Sequence, residues 1–414
     1  MRRVAVTGMG IISPIGNTIA EFEDSLRRGI CGVDRITRYD TAGAPVKVAA
    51  EVKGFQPELY MGYGDVRRTD LYAQYAMAAA SQAMEDSGIL GAVPPERLGV
   101  YFGSGIGGTG SCLKETEKLI QQGAHRVSPY SIPMMISNMA AGLLAIAYHA
   151  KGPCLPVVTA CATSSHAIGE AYRCIRSGYA DAVLTGGAEA GINPLIMAGF
   201  ANCNALSLST EPLESSLPFD RRRDGFVMGE GAGVLVLENW ETAVTRKATI
   251  YAEMIGYGNT CDAYHVTFPQ PDAVSSSRAV EQAMEEGDAF KIPPEQVYMN
   301  AHGTGTPVND AIETLAVKRV FGRNAHKLYI SSTKSMTGHM MGAAGVAEAI
   351  VSILTLNSGI VAPTIGYREP DPACDLNYVP QKAVRADIRL ALSLSFGFGG
   401  HNACLAFRKT EETA

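Results

Sequence analysis

Nine cysteines are scattered along the 414 residues without a single CxxC pair. Their odd number and their spacing suit neither a zinc site nor a disulfide scaffold. Reduced thiols in a cytoplasmic protein are the expectation. There is no basic excess either. The formal net charge is −6, so the chain has no surplus of cations to displace counterions from a nucleic acid. No apolar run is expected to approach the ~18 residues of a membrane span. The opening "MRRVAVTGMGIISPIG" has two arginines before an apolar run, as a signal peptide does, but Thr7, Gly8, Gly10 and Pro14 interrupt it. It reads as a first strand ending in a glycine turn. No low-complexity linker and no repeat is visible at the level of letters.

What is present is a chain long enough for a large core, with 46% hydrophobic and 18% charged residues and 44 glycines. Short apolar runs alternate with helical patterns. "RVAVTG", "LGVYFG", "LPVVTA" and "DAVLTGGAEA" read as strands, and 17–28 as a helix. "TDLYAQYAMAAASQAMEDSG" reads as a long helix, with Thr69 or Asp70 as cap and Gly88 as stop. "SNMAAGLLAIAYHAKG" predicts a buried helix. Near Glu230 the texture changes to two long strands, "EGAGVLVLENWE" and "ATIYAEMIGYGN", around a short helix. Alternation then resumes through "VYMNAH", "DAIETLAVKRVFG", "LYISST", a helix over 342–356, "LALSLSFGFGG" and "NACLAFRK". Runs apolar on both faces predict a sheet covered by helices on both sides. The reading is of two αβ halves, 1–250 and 251–414, packed together.

"GSGIGG" at 103–108 fits GxGxxG after a strand. A dinucleotide site also needs a following strand ending in an acid about 20 residues on. Here "GAHRVSPYSIP" follows instead. The motif is read as a turn that lets the backbone pass close to something.

Four other stretches form a set. "VVTACATSSHAIGEA" puts Cys161 between a strand and a helix, where the partial positive charge of a helix N-terminus favours a thiolate. "NAHGTGTPVNDAIE" and "SSTKSMTGHMMGAAGVAEA" place His302 and His339 beside glycines at apparent strand ends, with Lys334 five residues before His339. Ligands bind at strand ends of α/β sheets. "SFGFGG" flanks Phe398 with glycines and can offer a backbone N–H to an anion. Taken singly, each has a plainer explanation: a core cysteine, satisfied core histidines, a solvated lysine, and Thr304 or Thr306 as a helix cap.

Taken together, "VAVTGMGIISPIGN", "TACATSSHAIGEA", "PFDRRRDGFVMGEGAGVLVLE", "NAHGTGTPVND", "STKSMTGHMMGAAG" and "SFGFGGHN" make the chain resemble the 3-oxoacyl-[acyl-carrier-protein] synthases, and most closely type II, over nearly its whole length. The resemblance implies a thiolase-like fold, two similar αβ halves in five layers, αβαβα, and a homodimer. It implies that Cys161 takes an acyl group from acyl carrier protein. Malonyl-carrier protein then loses CO₂, and its enolate attacks the acyl-cysteine. His302 and His339 would stabilise the enolate, with Lys334 in support and paired to Glu348. The N–H groups of Cys161 and Phe398 would form the oxyanion hole. Thr304 and Thr306 match residues that bond the pantetheine arm, Ile106 a gate, Phe200 a wall of the acyl pocket, and Phe398 a mobile loop. Arg67, Arg68 and Arg126 could attract the acidic carrier. Arg221 to Arg223 are read as structural, pairing with Asp220, Asp224 or Glu230. No cofactor, metal, nucleic acid or membrane is implied.

The chain departs from the pattern in three places. Leu394 stands where relatives have asparagine, so the monovalent cation that some of them bind near Asn300 and Glu348 is not expected. Phe268 replaces a small hydroxyl residue, and His401 a threonine. Three alternatives stay open: a polyketide ketosynthase, a thiolase, and a non-catalytic chain-length factor. A chain-length factor lacks the nucleophile that Cys161 supplies. A thiolase needs a second cysteine near the C-terminus, and Cys404 reads as core.

Overall fold

The computed structural model describes residues 1–410. Along its strands, neighbouring side chains enter different cores: Val183 and Leu235 face one, Leu184 and Val236 another. The strands are therefore apolar on both faces because both faces are covered. Ten of them form one sheet: β1 (Val4–Ile12), β2 (Leu98–Gly103), β3 (Cys154–Val157), β4 (Ala182–Glu189), β5 (Gly231–Asn239), β6 (Ala252–Cys261), β7 (Val297–Asn300), β8 (Tyr329–Ser331), β9 (Leu390–Gly397) and β10 (His401–Arg408). Their order across the sheet is β8-β7-β9-β10-β6-β1-β5-β4-β2-β3.

Read outward from the middle, one side runs β1-β5-β4-β2-β3 and the other β6-β10-β9-β7-β8. The second is the first shifted by five strands, so the architecture is doubled although no letters repeat. The halves join where β1 meets β6 through three antiparallel pairs, Val4–Met254, Ala5–Glu253 and Val6–Ala252.

The helices make the remaining layers. Helix α1 (Leu71–Ser87), capped by the Asp70 carboxylate on the Tyr72 N–H and ended by Gly88, covers the outer face of the first half. Helix α3 (Val274–Glu286) covers the outer face of the second. Helices α2 (Thr163–Arg176) and α4 (Ala344–Ser358) pack on each other between the half-sheets. The sequence is thus helix, half-sheet, helix pair, half-sheet, helix, the expected five layers. Each outer helix lies on two strand glycines. A Cβ on Gly8 or Gly10 would come within 2.4 or 2.0 Å of the Ala83 or Ala79 carbonyl. One on Gly256 or Gly258 would come within 2.0 or 1.7 Å of the Ala283 or Ala279 carbonyl.

Two expectations are corrected. The segment Met341–Ser358 is 18 residues long with mean hydropathy 1.3, long and apolar enough to cross a membrane; it is 89% buried here because it carries α4 through the centre. The helix of "SNMAAGLLAIAYHAKG" runs Met139–Ala147 and buries only Ala140, Ala141 and Leu144, leaving Ile146 71% exposed. Its outer side has nothing to pack against in a single chain.

Candidate active site

Strand β3 ends at Val157, and the chain turns through Ala160, at φ 50°, to set Cys161 in the turn that leads into α2. The left-handed step costs strain and points the thiol away from the strand. On the other half, His302 follows β7 and His339 follows the short helix Lys334–Thr337. The loop after β9 folds over both. All three residues meet in a cavity of about 390 Å³, whose walls also include Phe200, Thr304, Thr306 and Phe398.

The imidazoles are 5.4 Å apart, centroid to centroid, and nearly perpendicular at 85°. Their tautomers follow from their partners. The Met341 N–H points at His339 Nδ1 at 3.3 Å, and the Lys334 ammonium at His302 Nδ1 at 3.4 Å. A nitrogen that accepts carries no proton, so in both rings Nε2 carries it. His339 Nε2 is buried without a partner. Burial holds both rings well below the usual histidine range, and the Lys334 charge adds to this. Both are neutral N–H donors.

Lys334 pairs with Glu348 in the interior, as expected, but it faces His302 and not the nearer-in-sequence His339. Burial lifts the Glu348 carboxyl to about 7 against the pull of Lys334.

The thiol departs from expectation. Burial pushes Cys161 up to about 12, while the Lys334 charge and the Phe398 N–H pull it down and Glu189 pushes it further up. Desolvation of the anion is the largest of these effects. A Cβ on Gly397 would sit 2.6 Å from the Thr159 carbonyl and 3.3 Å from the Cys161 nitrogen, so only glycine lets this loop close on the nucleophile.

The Thr304 and Thr306 hydroxyls bond each other at 3.0 Å on the cavity wall, and neither caps the following helix. Ile106 lies off the wall, against Gly191, its N–H on Glu189. Phe268 lines the mouth. Arg67, Arg68 and Arg126 are exposed; the first two lie over Tyr63 and Tyr130. Arg222 pairs with Asp220 as expected and also with Glu214. Arg223 instead bonds Asp371, and Glu230 takes Arg38. Cys404 is buried in the outer core of the second half. Leu394 is there too and carries no side-chain oxygen, while Asn300 Oδ1 and Glu348 Oε2 are buried without a partner.

Two of the buried carboxylates that sequence reasoning missed border the site. Glu313 accepts the His302 and Gly303 N–H groups at 2.6 and 2.7 Å and is lifted by burial to about 8. Glu189 is the other. Glutamate at the end of a strand, or six residues into a helix, looks solvated from sequence alone; only an acid inside an otherwise apolar or glycine-rich run such as "LTGGAEA" hints at burial.

Residues 1–243 match the model of the beta-ketoacyl synthase N-terminal domain, and 251–368 that of the C-terminal domain. The chain belongs to the beta-ketoacyl synthase family. It is 46% identical over 411 residues to 3-oxoacyl-[acyl-carrier-protein] synthase 2 of Synechocystis, covering 99% of this chain and 98% of that one. It is 47% identical over 411 residues to the Staphylococcus aureus protein of the same name, covering 99% of each. Among solved structures it resembles a beta-ketoacyl synthase from Burkholderia phymatum, with TM-score 0.91, 34% identity and coverage of 99% of this chain and 100% of that one. It also resembles a type II polyketide ketosynthase solved with its acyl-carrier protein, with TM-score 0.90, 32% identity and the same coverage.

Proposed function

We propose that the protein elongates acyl chains by two carbons through decarboxylative condensation, with both substrates carried on acyl carrier protein. The Cys161 sulfur attacks the acyl thioester. The bond to the carrier's sulfur breaks, and the thiol proton leaves with that sulfur. Malonyl-carrier protein then loses its carboxylate as CO₂. The electron pair becomes an enolate, whose oxygen accepts from Nε2–H of His302 and His339. The enolate carbon attacks the acyl-cysteine carbonyl, the oxyanion rests on the Cys161 and Phe398 N–H groups, and collapse frees the sulfur and a 3-oxoacyl thioester.

The observation that carries this reading is the pair of neutral imidazoles, both with Nε2–H free, in the cavity that holds the cysteine. A single histidine base oriented by a carboxylate would mark a hydrolase. Two donors converging on one oxygen suit an enolate. The geometry explains why each donor must be uncharged at rest: an imidazolium next to the Lys334 ammonium, out of water, is costly.

Lys334 and Glu348 act as positioning residues, Thr304 and Thr306 hold the pantetheine arm, and Phe200 walls the acyl site with Ile106 behind it. Arg67, Arg68 and Arg126 supply local positive charge on an acidic protein for an acidic carrier. The enzyme needs no cofactor of its own and works in the cytoplasm, where free thiols persist. It works as a homodimer: β3 is an exposed edge strand, with Leu155 at 45%, Val158 just past its end at 52% and nearby Ile146 at 71% exposure, a surface that a second copy would cover.

The test supplies malonyl-carrier protein with acyl-carrier proteins of several lengths and reads the products by mass spectrometry. Saturated acyl primers extended once to 3-oxo products support fatty-acid elongation. Repeated extension of unreduced poly-oxo chains would move the enzyme to polyketide assembly. No decarboxylation would contradict both.

A further inference from the structure

We infer that Glu189 is a positioning residue of the condensing site, a buried carboxylate that locks the loop after β2 to the loop after His339 and so sets how the nucleophile faces the histidines. The inference rests on the function proposed above and names what keeps its two halves in register.

Glu189 ends β4 and is fully buried. Oε1 accepts from Ser104 Oγ at 2.7 Å and the Ile106 N–H at 3.2 Å. Oε2 accepts from the Gly105 N–H at 2.8 Å and the Gly342 N–H at 2.9 Å. Ser104 Oγ accepts in turn from the Gly107 N–H at 3.0 Å. Four donors, with no cation among the described residues, converge on the carboxylate and pull against the burial that raises its titration. The cradle requires glycine on both sides, since a Cβ on Gly105 or on Gly342 would lie 2.7 Å from Oε2. The loops themselves touch, because the Gly342 Cβ would stand 2.5 Å from the Gly105 nitrogen.

The contact reaches the chemistry through two bonds. Gly342 follows Met341, which sits at φ 50° and whose N–H fixes the His339 tautomer. Releasing Gly342 removes what holds Met341 in that strained conformation, and with it the N–H on Nδ1. On the other side, a Gly105 Cβ would be 3.6 Å from the Ala160 carbonyl, next to Cys161. The charge is close enough to the sulfur to disfavour its thiolate.

The doubled architecture gives the arrangement a second meaning. Glu189 and Gly397 are the last residues of equivalent strands, each paired to the first residue of the strand that follows in its half. Gly397 lies over the Cys161 nitrogen and Glu189 over the Gly342 N–H. The carboxylate occupies, in one half, the place where the other half must receive a substrate oxyanion.

The experiment compares Glu189→Gln, Glu189→Asp and Ser104→Ala with the parent by two readouts. One is the rate of Cys161 alkylation by iodoacetamide against pH, with the site identified by peptide mass. The other is the ratio of malonyl-carrier decarboxylation to Cys161 acylation. Removing the charge in Glu189→Gln lowers the thiol's titration, so alkylation at pH 8 should rise about threefold or more, while decarboxylation falls about tenfold and acylation changes little. Glu189→Asp keeps the charge and loses the reach, so alkylation should match the parent while decarboxylation falls. Ser104→Ala should shift the ratio in the same direction by about twofold to threefold. Equal loss of both half-reactions with an unaltered alkylation profile would reduce Glu189 to general stability and overturn the inference. So would an unchanged ratio in Ser104→Ala, which also decides the matter should Glu189→Gln fail to fold. Alkylation needs no carrier substrate, so it reports on Glu189 even if the proposed reaction is wrong.

Discussion

The turn before the first half's middle helix runs Ala160–Cys161–Ala162, and the one in the second half runs Met341–Gly342–Ala343. Each starts three residues before its helix, and each opens on a non-glycine residue at φ 50°. The next position is the nucleophile in one half and glycine in the other. The loop after the neighbouring strand differs too: after β2 it carries the glycines on Glu189, and after β7 it carries His302. One scaffold, used twice, presents a sulfur from one half and two N–H donors from the other to a single cavity. The comparison teaches that chemistry was divided between halves while the strained turn, which aims a residue at the centre, was kept in both.

The division can be broken at several points, and the largest effect belongs to the sulfur. Cys161→Ala should leave acyl transfer below about a thousandth of the parent, measured by acyl-protein mass, with the fold intact. Next come the donors. His302→Ala and His339→Ala should each slow malonyl decarboxylation about a hundredfold, near 3 kcal/mol for one lost donor, while Cys161 acylation falls far less. A radiolabelled CO₂ release assay beside an acylation assay separates the two; equal losses would mean the halves do not divide the work as stated.

Lys334→Ala tests the interior pair. It strands a buried Glu348 carboxylate, which should cost about 3–5 kcal/mol in denaturant unfolding. Lys334→Met with Glu348→Leu should recover much of that without recovering full decarboxylation. The smallest effect tests the doubling itself. Gly10→Ala and Gly258→Ala meet helix carbonyls at matching places, so each should cost roughly 1–3 kcal/mol, and within error the same. Markedly unequal costs would show the two strand–helix contacts are not equivalent.

How much of this the sequence revealed depends on distance along the chain. Strand and helix patterns such as "LGVYFG" and "TDLYAQYAMAAASQAMEDSG" are local and were read with their caps, Asp70 and Gly88. Cys161, His302, His339 and Lys334 stood out because each sits in a short glycine-, serine- or threonine-rich stretch at a strand end, and the structure gathers them. Two αβ halves were legible in the strand–helix alternation on either side of residue 250, but their point-by-point equivalence was not, because what repeats is a spacing: glycines two apart on β1 and β6, against alanines four apart on α1 and α3. Glu189 and Glu313 were not legible either, since a carboxylate's burial depends on backbone N–H groups from loops far away in sequence. The burial that raises the thiol's titration is hidden for the same reason: a helix N-terminus is visible in the letters, and desolvation by a whole cavity is not.

One measurement bears most directly on the division between the halves. The protein is loaded with an acyl-carrier protein, mapped by peptide mass, and then given malonyl-carrier protein. The account predicts an acyl adduct on Cys161 alone, discharged with one CO₂ per 3-oxoacyl product, and an adduct that persists in His302→Ala and His339→Ala. An adduct on another thiol such as Cys203, which lines the same cavity, or discharge without CO₂, would contradict it.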